Sequence, residues 1–302
     1  MPTDRTTDFL RELLVRQLTT WLPAALHRSR RATVALAWAG GDAGGAEAAL
    51  RVVAGHAAQV RGRQVTVLVL ADGATDLPAR LGPIEADLPA EVTVHLLPGA
   101  PDRLPVAVKA AGAAGSPLFC FLHVPGAVSP PLLTAAANGR TGEVLLHAGS
   151  SARDALVAVG FPLVAEVAPV LADDPTGGVL AFGSRSDRSL EAVRDALWTV
   201  GVNLGVRYRN PADPAGETVD VAGDPDLAPL AHELLAELRR GGPRSVTDLR
   251  RHTLTATVYR AKDTVRTLTT LLRSGAVVRE PEHGRLGGDV SIIPVPDEPS
   301  TA

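Results

Sequence analysis

Nearly continuous apolar runs alternate with helix-patterned segments through the first half of the chain. This alternation limits the fold more than any other feature. The runs are 33–38, 64–70, 91–97 and 117–122, with a fifth at 143–147. Strands that are apolar on both sides must be covered on both sides, which calls for a parallel sheet between two helical layers. Segments 46–60, 102–114 and 129–137 have the pattern and length of the crossover helices. Ahead of them, Phe9, Leu10, Leu13, Leu14 and Leu18 recur near helical spacing over 4–20, and 22–31 extends or follows that helix. Hydrophobic residues reach 45% of the 302 but aromatics only 3%, so the core has to be built from Ala, Val and Leu.

The second half reads less evenly. Segment 152–176 is apolar, but Pro162, Pro169 and Pro175 limit any helix there. A strand is expected at 179–182. An amphipathic helix at 189–200 places Leu190, Val193, Leu197 and Val200 on one side, with Glu191, Arg194 and Asp195 elsewhere. A closing strand at 203–209 brings the sheet to about seven strands. Pro, Gly and Asp then crowd 210–225 and mark a linker or surface loop. The expected organisation is an α/β domain at 1–212, a linker at 213–224 and a small domain at 225–298.

The small domain is expected to be a winged helix-turn-helix. A helix at 226–240 carries Leu227, Leu230, Leu234, Leu235 and Leu238 and stops at Gly241-Gly242-Pro243. Ser245 is an N-cap for a helix at 246–251, with Asp248 at the capping-box position. A third helix is expected at 255–273, ended by Ser274-Gly275, then a strand at 276–279, a turn at 281–288 and a return strand at 290–295. The third helix of such a module enters a DNA major groove. Its first half would place Thr257, Tyr259, Arg260, Lys262, Asp263 and Arg266 at base edges, and the wing would place Arg279, His283 and Arg285 at phosphates. Charge agrees: 239–285 holds 11 basic and 4 acidic residues, a local +7, against −3 for the whole chain and so −10 for the remainder. Nucleic acid, DNA first, is the expected partner; protein contact is the other use of this module.

Chemistry in an open α/β sheet is expected at the carboxyl ends of its strands. The first strand runs into Trp38-Ala39-Gly40-Gly41-Asp42-Ala43-Gly44-Gly45, a glycine-rich turn whose spacing matches neither the dinucleotide fingerprint nor a phosphate-binding loop. The second ends at Asp72-Gly73, where an acid can hold ribose hydroxyls. The fourth ends in Phe121-Leu122-His123-Val124-Pro125-Gly126. The candidate site is therefore Gly40, Asp42, Asp72 and Gly126 for a nucleoside-type cofactor, with His123 as the catalytic candidate because imidazole titrates near neutrality. Gly40 and Gly126 also read as turn glycines kept for backbone geometry. His123, His147 and Asp72 could meet in one crevice, but no metal site is expected from them. Cys120 lies inside an apolar run and reads as a buried, inert thiol, so neither a disulfide nor a thiolate zinc cluster is available. The polar first residues lack a signal-peptide core and no run reaches ~18 apolar residues, so a cytoplasmic protein without membrane contact is expected.

The order of these elements resembles the three-Cys-motif partner family, in which a class I methyltransferase-like domain precedes a winged helix. The opening helix through Trp21, VALAWAGGD at 34–42, PLFCFLHVPG at 117–126, the strand at 143–146, and LAFGS with DALWTV at 180–200 carry the resemblance. It implies S-adenosylmethionine as cofactor and a setting in prokaryotic conflict or phage defence. The departures lie at the site. The family's first-strand acid falls on Leu36, its Pro-Gly on Gly41-Asp42 and its Asp-Pro on His123-Val124. The expectation is a catalytically degenerate member acting by binding, with no cofactor held. An active methyltransferase on nucleic acid and a ligand-sensing transcription regulator are the alternatives.

Overall fold

The computed structural model describes residues 5–40, 44–73, 76–171, 177–213 and 215–296. A long helix, α1 (Arg5–Arg28), leads into β1 (Arg31–Trp38), α2 (Gly44–Gly55), the single turn α3 (Ala57–Val60) and β2 (Gln64–Ala71). Then follow α4 (Leu77–Ala86), β3 (Val92–Pro98), α5 (Leu104–Ala110), β4 (Pro117–Val124), α6 (Pro130–Ala137) and β5 (Thr141–Ala148). The domain closes with α7 (Arg153–Ala158), β6 (Leu163–Val170), β7 (Val179–Ser184), α8 (Asp187–Leu204) and β8 (Arg207–Arg209).

These strands form one sheet in the order β3-β2-β1-β4-β5-β7-β6-β8, an α/β architecture of Rossmann-like kind. Pairing is parallel from β3 through β5; β7 runs antiparallel between β5 and β6, and β8 antiparallel beside β6. The sheet has eight strands rather than the expected seven. The extra one is β6, within the Pro-rich segment 152–176. Pro162 lies outside it, and Pro169 sits where β6 pairs only with the three-residue edge strand β8, so neither proline interrupts the central ladder.

Both faces are covered, as the apolar strands require. On one, Val34, Leu36 and Trp38 of β1 join Phe119 and Phe121 of β4 beneath α1, α2 and α8. On the other, Ala35 and Ala37 meet Leu104, Val108, Leu132 and Leu133 of α5 and α6. Most of the few aromatics join the first core, with tilted pairs Trp21–Phe119 and Trp38–Phe121, both with ring centroids 5.6 Å apart, while Phe161 lies in the other. Cys120 is buried, and burial pushes its thiol up, away from thiolate chemistry. No helix among the described residues is long and apolar enough to cross a membrane.

The remaining elements are α9 (Ala228–Gly241), β9 (Arg244–Ser245), α10 (Val246–Ala256), α11 (Ala261–Arg273), β10 (Val277–Glu280) and β11 (Ser291–Pro294). They make three helices and a three-stranded antiparallel sheet, β10-β11-β9. Ser245 Oγ accepts from the Asp248 N–H, 3.1 Å away, as an N-cap should. The third helix starts six residues later than expected. Thr257 is extended, its Oγ1 donates to Thr253 O and accepts from the Tyr259 N–H, and these bonds stop α10 before α11 begins.

This small module is joined to the sheet domain through the carbonyls at the end of α10. Arg194 Nη2 donates to Leu254 O and to Thr257 O, both 2.8 Å. Arg153 Nη2 reaches Thr255 O at 2.6 Å, Asn210 Nδ2 reaches Ala256 O at 2.8 Å, and Trp198 Nε1 reaches Val258 O at 3.0 Å. Five successive carbonyls, 254 to 258, thus accept from side chains of the other domain. A helix leaves its last carbonyls unpaired and carries partial negative charge there, so donors and cations are favoured at that end. Arg194 was expected on the polar side of its helix; it is 1% exposed, because α8 is covered by the sheet on one side and by α10 on the other. Burial lowers its pKa to about 10, still far above neutrality. Ion pairs Arg250–Glu191 and Arg251–Asp187 flank the joint, and Arg260 stacks over the Trp198 ring at 3.6 Å. The expected linker is pinned as well: Val219 exchanges two backbone hydrogen bonds with Tyr208, and Val221 is buried.

Removing Arg194 leaves two buried carbonyls without a partner. Arg194→Ala should lower stability by about 2–5 kcal/mol in urea unfolding, with both domains lost in one transition. A loss below about 1 kcal/mol would contradict the role given to this side chain.

Candidate functional site

The carboxyl end of β1 opens on a small cavity of about 220 Å³. Leu10 and Leu14 of α1, Trp38 and Gly40 at the end of β1, Gly45 at the start of α2, and Phe121 and His123 of β4 line it, with Thr7 and Arg11 at the side. The β1 pleat sends Trp38 to the α1 side, and its indole is only 5% exposed. A Cβ built on Gly45 would come within 2.7 Å of Trp38 Cζ2. The indole therefore lies flush against the first turn of α2, where a ligand approaching the helix N-terminus would sit.

The sequence candidates separate. Gly40 and His123 share the cavity. Asp72 is exposed at the end of β2 and, like Gly126, is not among the lining residues. Asp42 lies outside the described residues, as does Gly41. Gly40 has φ +116°, so its glycine is required by the backbone. Gly126 corrects the expectation made for it: its φ is not positive, and a Cβ there would meet nothing within 4 Å. Leu36 is fully buried under α1, and Val124 packs into the core of the opposite face, so neither presents a polar group to the cavity.

His123 is tied to a second histidine. β4 and β5 pair His123 with His147 in register. The rings stack 7° from parallel, and the two Nδ1 atoms are 3.0 Å apart. His147 Nε2 lies 2.6 Å from Gly177 O, and a carbonyl only accepts, so that nitrogen carries a proton. In the neutral pair His147 then offers a lone pair at Nδ1, and His123 donates to it. The facing nitrogens share one proton. His123 Nδ1 is engaged in this bond, which fixes its ring against His147. Asp72 does not join the pair: among the described residues no three His, Cys, Asp or Glu side chains come together as a metal site would need.

The expected nucleic-acid residues also separate, according to the joint. Tyr259 is 4% exposed and its hydroxyl donates to Asp226 O at 2.7 Å. Arg260 is held between the Trp198 ring and Asp263, a fully buried carboxylate that accepts from the Arg260 N–H and Nε. Thr257 is buried in the joint. The turn 257–260 ahead of α11 thus packs in the joint rather than facing solvent. Lys262, Arg266 and Arg273 remain on the exposed side of α11, with Arg266 paired to Asp224 at 2.8 Å. In the hairpin, Arg279 donates to Pro281 O and Gly284 O, both 2.9 Å, and so closes the β10–β11 turn itself. Arg285 and His283 are exposed, and Arg285 borders a groove of about 710 Å³ with Lys262, Arg250, Glu191 and Asp195.

Trp38, Arg153, Arg194, Trp198 and Asn210 are the residues that sequence reasoning missed. Trp38 had a visible signal, the last strand position before a glycine turn; the others depend on which helix end they meet. No protein-family model, curated protein or solved structure matches the chain.

The packing of Trp38 on Gly45 gives a paired expectation for urea unfolding. Gly45→Ala should cost about 1–3 kcal/mol by overpacking, and Trp38→Ala about 3–5 kcal/mol by leaving a cavity. If Gly45→Ala is neutral, the indole is not seated where described.

Proposed function

We propose that this chain works by binding and not by methyl transfer: a degenerate relative of the three-Cys-motif partner proteins, with a methyltransferase-type sheet joined to a winged helix. The sheet order supports the first element. It inserts β7 antiparallel between β5 and β6, where the dinucleotide-binding order is 3-2-1-4-5-6. The order of α9, α10, α11 and the β10–β11 hairpin supports the second.

The observation that carries the proposal is the indole of Trp38 against Gly45. S-adenosylmethionine needs polar partners for its amino acid, ribose and adenine parts. Here the described lining offers Leu10, Leu14, Trp38 and Phe121, with Thr7, Arg11 and His123 as its polar side chains. The volume of about 220 Å³ is below the ~300–1,000 Å³ typical of pockets for drug-sized ligands. Leu36 and Val124 stand where the resemblance expects polar residues, and His123 Nδ1 is bonded to His147. The described residues do not fit the cofactor. Calorimetry with S-adenosylmethionine should therefore give no binding tighter than about 100 µM. Tighter binding would restore the active-methyltransferase reading.

The exposed stripe Lys262, Arg266 and Arg273 favours a second activity, contact with nucleic-acid backbone. With the turn before α11 in the joint, base edges are out of reach of Tyr259 and Arg260, which weighs against a sequence-reading regulator. Gel shifts should show weak duplex binding without sequence preference, falling steeply with salt. Replacing Lys262 and Arg273 by Ala should reduce the salt slope by about 2, and Tyr259→Phe should leave it unchanged. Retention of one duplex over another of equal length would overturn this part.

A further inference from the structure

The expected linker and the small module enclose a second cavity, of about 560 Å³, that shares no lining residue with the crevice. Its walls are residues 216–220 and 224–226 with Asn210 and Asp213, the start of α9 and the turn at 257–259. The size lies within the ~300–1,000 Å³ range of small-molecule pockets, which favour positions between domains. The floor is apolar: Val219, Leu230, Val258 and the ring of Tyr259. The rim is anionic. Asp213, Glu217, Asp220, Asp224, Asp226 and Glu233 all border it, and no Lys, Arg or His is among its described lining residues.

These carboxylates are not equivalent. Asp224 pairs with Arg266 and Glu233 with His252, both outside the cavity. Asp220 and Asp226 accept from the N–H groups of Ala222 and Ala228. Asp213 and Glu217 form no ion pair among the described residues. The negative field reaches the floor: burial first, then Asp226, Asp263 and Glu217, push the Tyr259 phenol up to about 12. The walls are also fixed in advance. Tyr259 is bonded to Asp226 O, Val258 O to Trp198, and Val219 to Tyr208. A preformed pocket loses little order on binding.

We propose that this cavity binds a small organic cation, an ammonium or guanidinium group carried on an apolar body. The charge meets Asp213 and Glu217 at the rim. The body covers the floor, where the Tyr259 ring adds a favourable surface for a cation. The inference stands apart from the crevice and from nucleic-acid contact.

Calorimetry on the full chain at low salt tests it, with 2-phenylethylamine as probe, 2-phenylethanol as its neutral analogue and spermidine as a charged molecule without an apolar body. The amine should bind with a Kd below about 1 mM, and the alcohol and spermidine each about tenfold more weakly. Asp213→Asn with Glu217→Gln should weaken the amine about tenfold. Thr218→Trp, which fills the cavity from its wall, should abolish binding while the unfolding midpoint stays unchanged. No binding of the amine overturns the proposal. Equal binding of the alcohol reduces the site to an apolar hole, and binding that survives Thr218→Trp reduces it to surface charge; either result overturns the proposal too.

Discussion

The carbonyls of residues 254 to 258, each held by a side chain of the sheet domain, are the constraint on which the rest of the molecule depends. They fix a small three-helix module to α8 through Arg153, Arg194, Trp198 and Asn210. A buried guanidinium with no carboxylate beside it would be costly; at the end of α10 it meets the negative pole of a helix and two carbonyls. Its Nε and Nη1 make no hydrogen bond among the described residues, so this balance is incomplete and the joint relies on apolar packing as well. That packing exists, since one core runs from α1 through α8 into α9–α11.

Three consequences follow from the joint. The turn before α11, which would enter a DNA groove in a freely presented module, is an internal surface. The chain between the domains is drawn onto the sheet edge at Tyr208 and cannot act as a loose tether. The same turn, with that chain, makes a preformed anionic pocket. At the far side of the sheet domain the crevice shows a parallel outcome: a side chain of the protein, Trp38, occupies ground that a ligand would need. In both places a tryptophan packs against backbone, Trp38 on Gly45 and Trp198 on the Val258 carbonyl.

Much of the fold was legible in the sequence, for a physical reason. Strands buried on both faces leave continuous apolar runs, and 33–38, 64–70 and 117–122 fell inside β1, β2 and β4. Leu77–Ala86 escaped because Pro78 and Pro83 interrupt its pattern, and β6 because Pro162 precedes it and Pro169 lies within it. The sites were less legible. Period and spacing place a residue on a face, but they do not say what lies opposite. Arg194 sits among polar neighbours in sequence, yet the end of α10 buries it. Tyr259 and Arg260 look like a reading head until α8 is set against them. His123 looked like a lone base; register with His147, from a separate strand, makes it half of a pair.

Amide hydrogen exchange over residues 253–264 tests the central claim, that the turn between α10 and α11 is an internal joint. Protection there should be as strong as in β4 and α8, lost only in global unfolding and unchanged when a DNA duplex is added. Exchange faster by orders of magnitude than in β4, or new protection at 257–262 on adding duplex, would show a module that opens and presents this turn, and would contradict it.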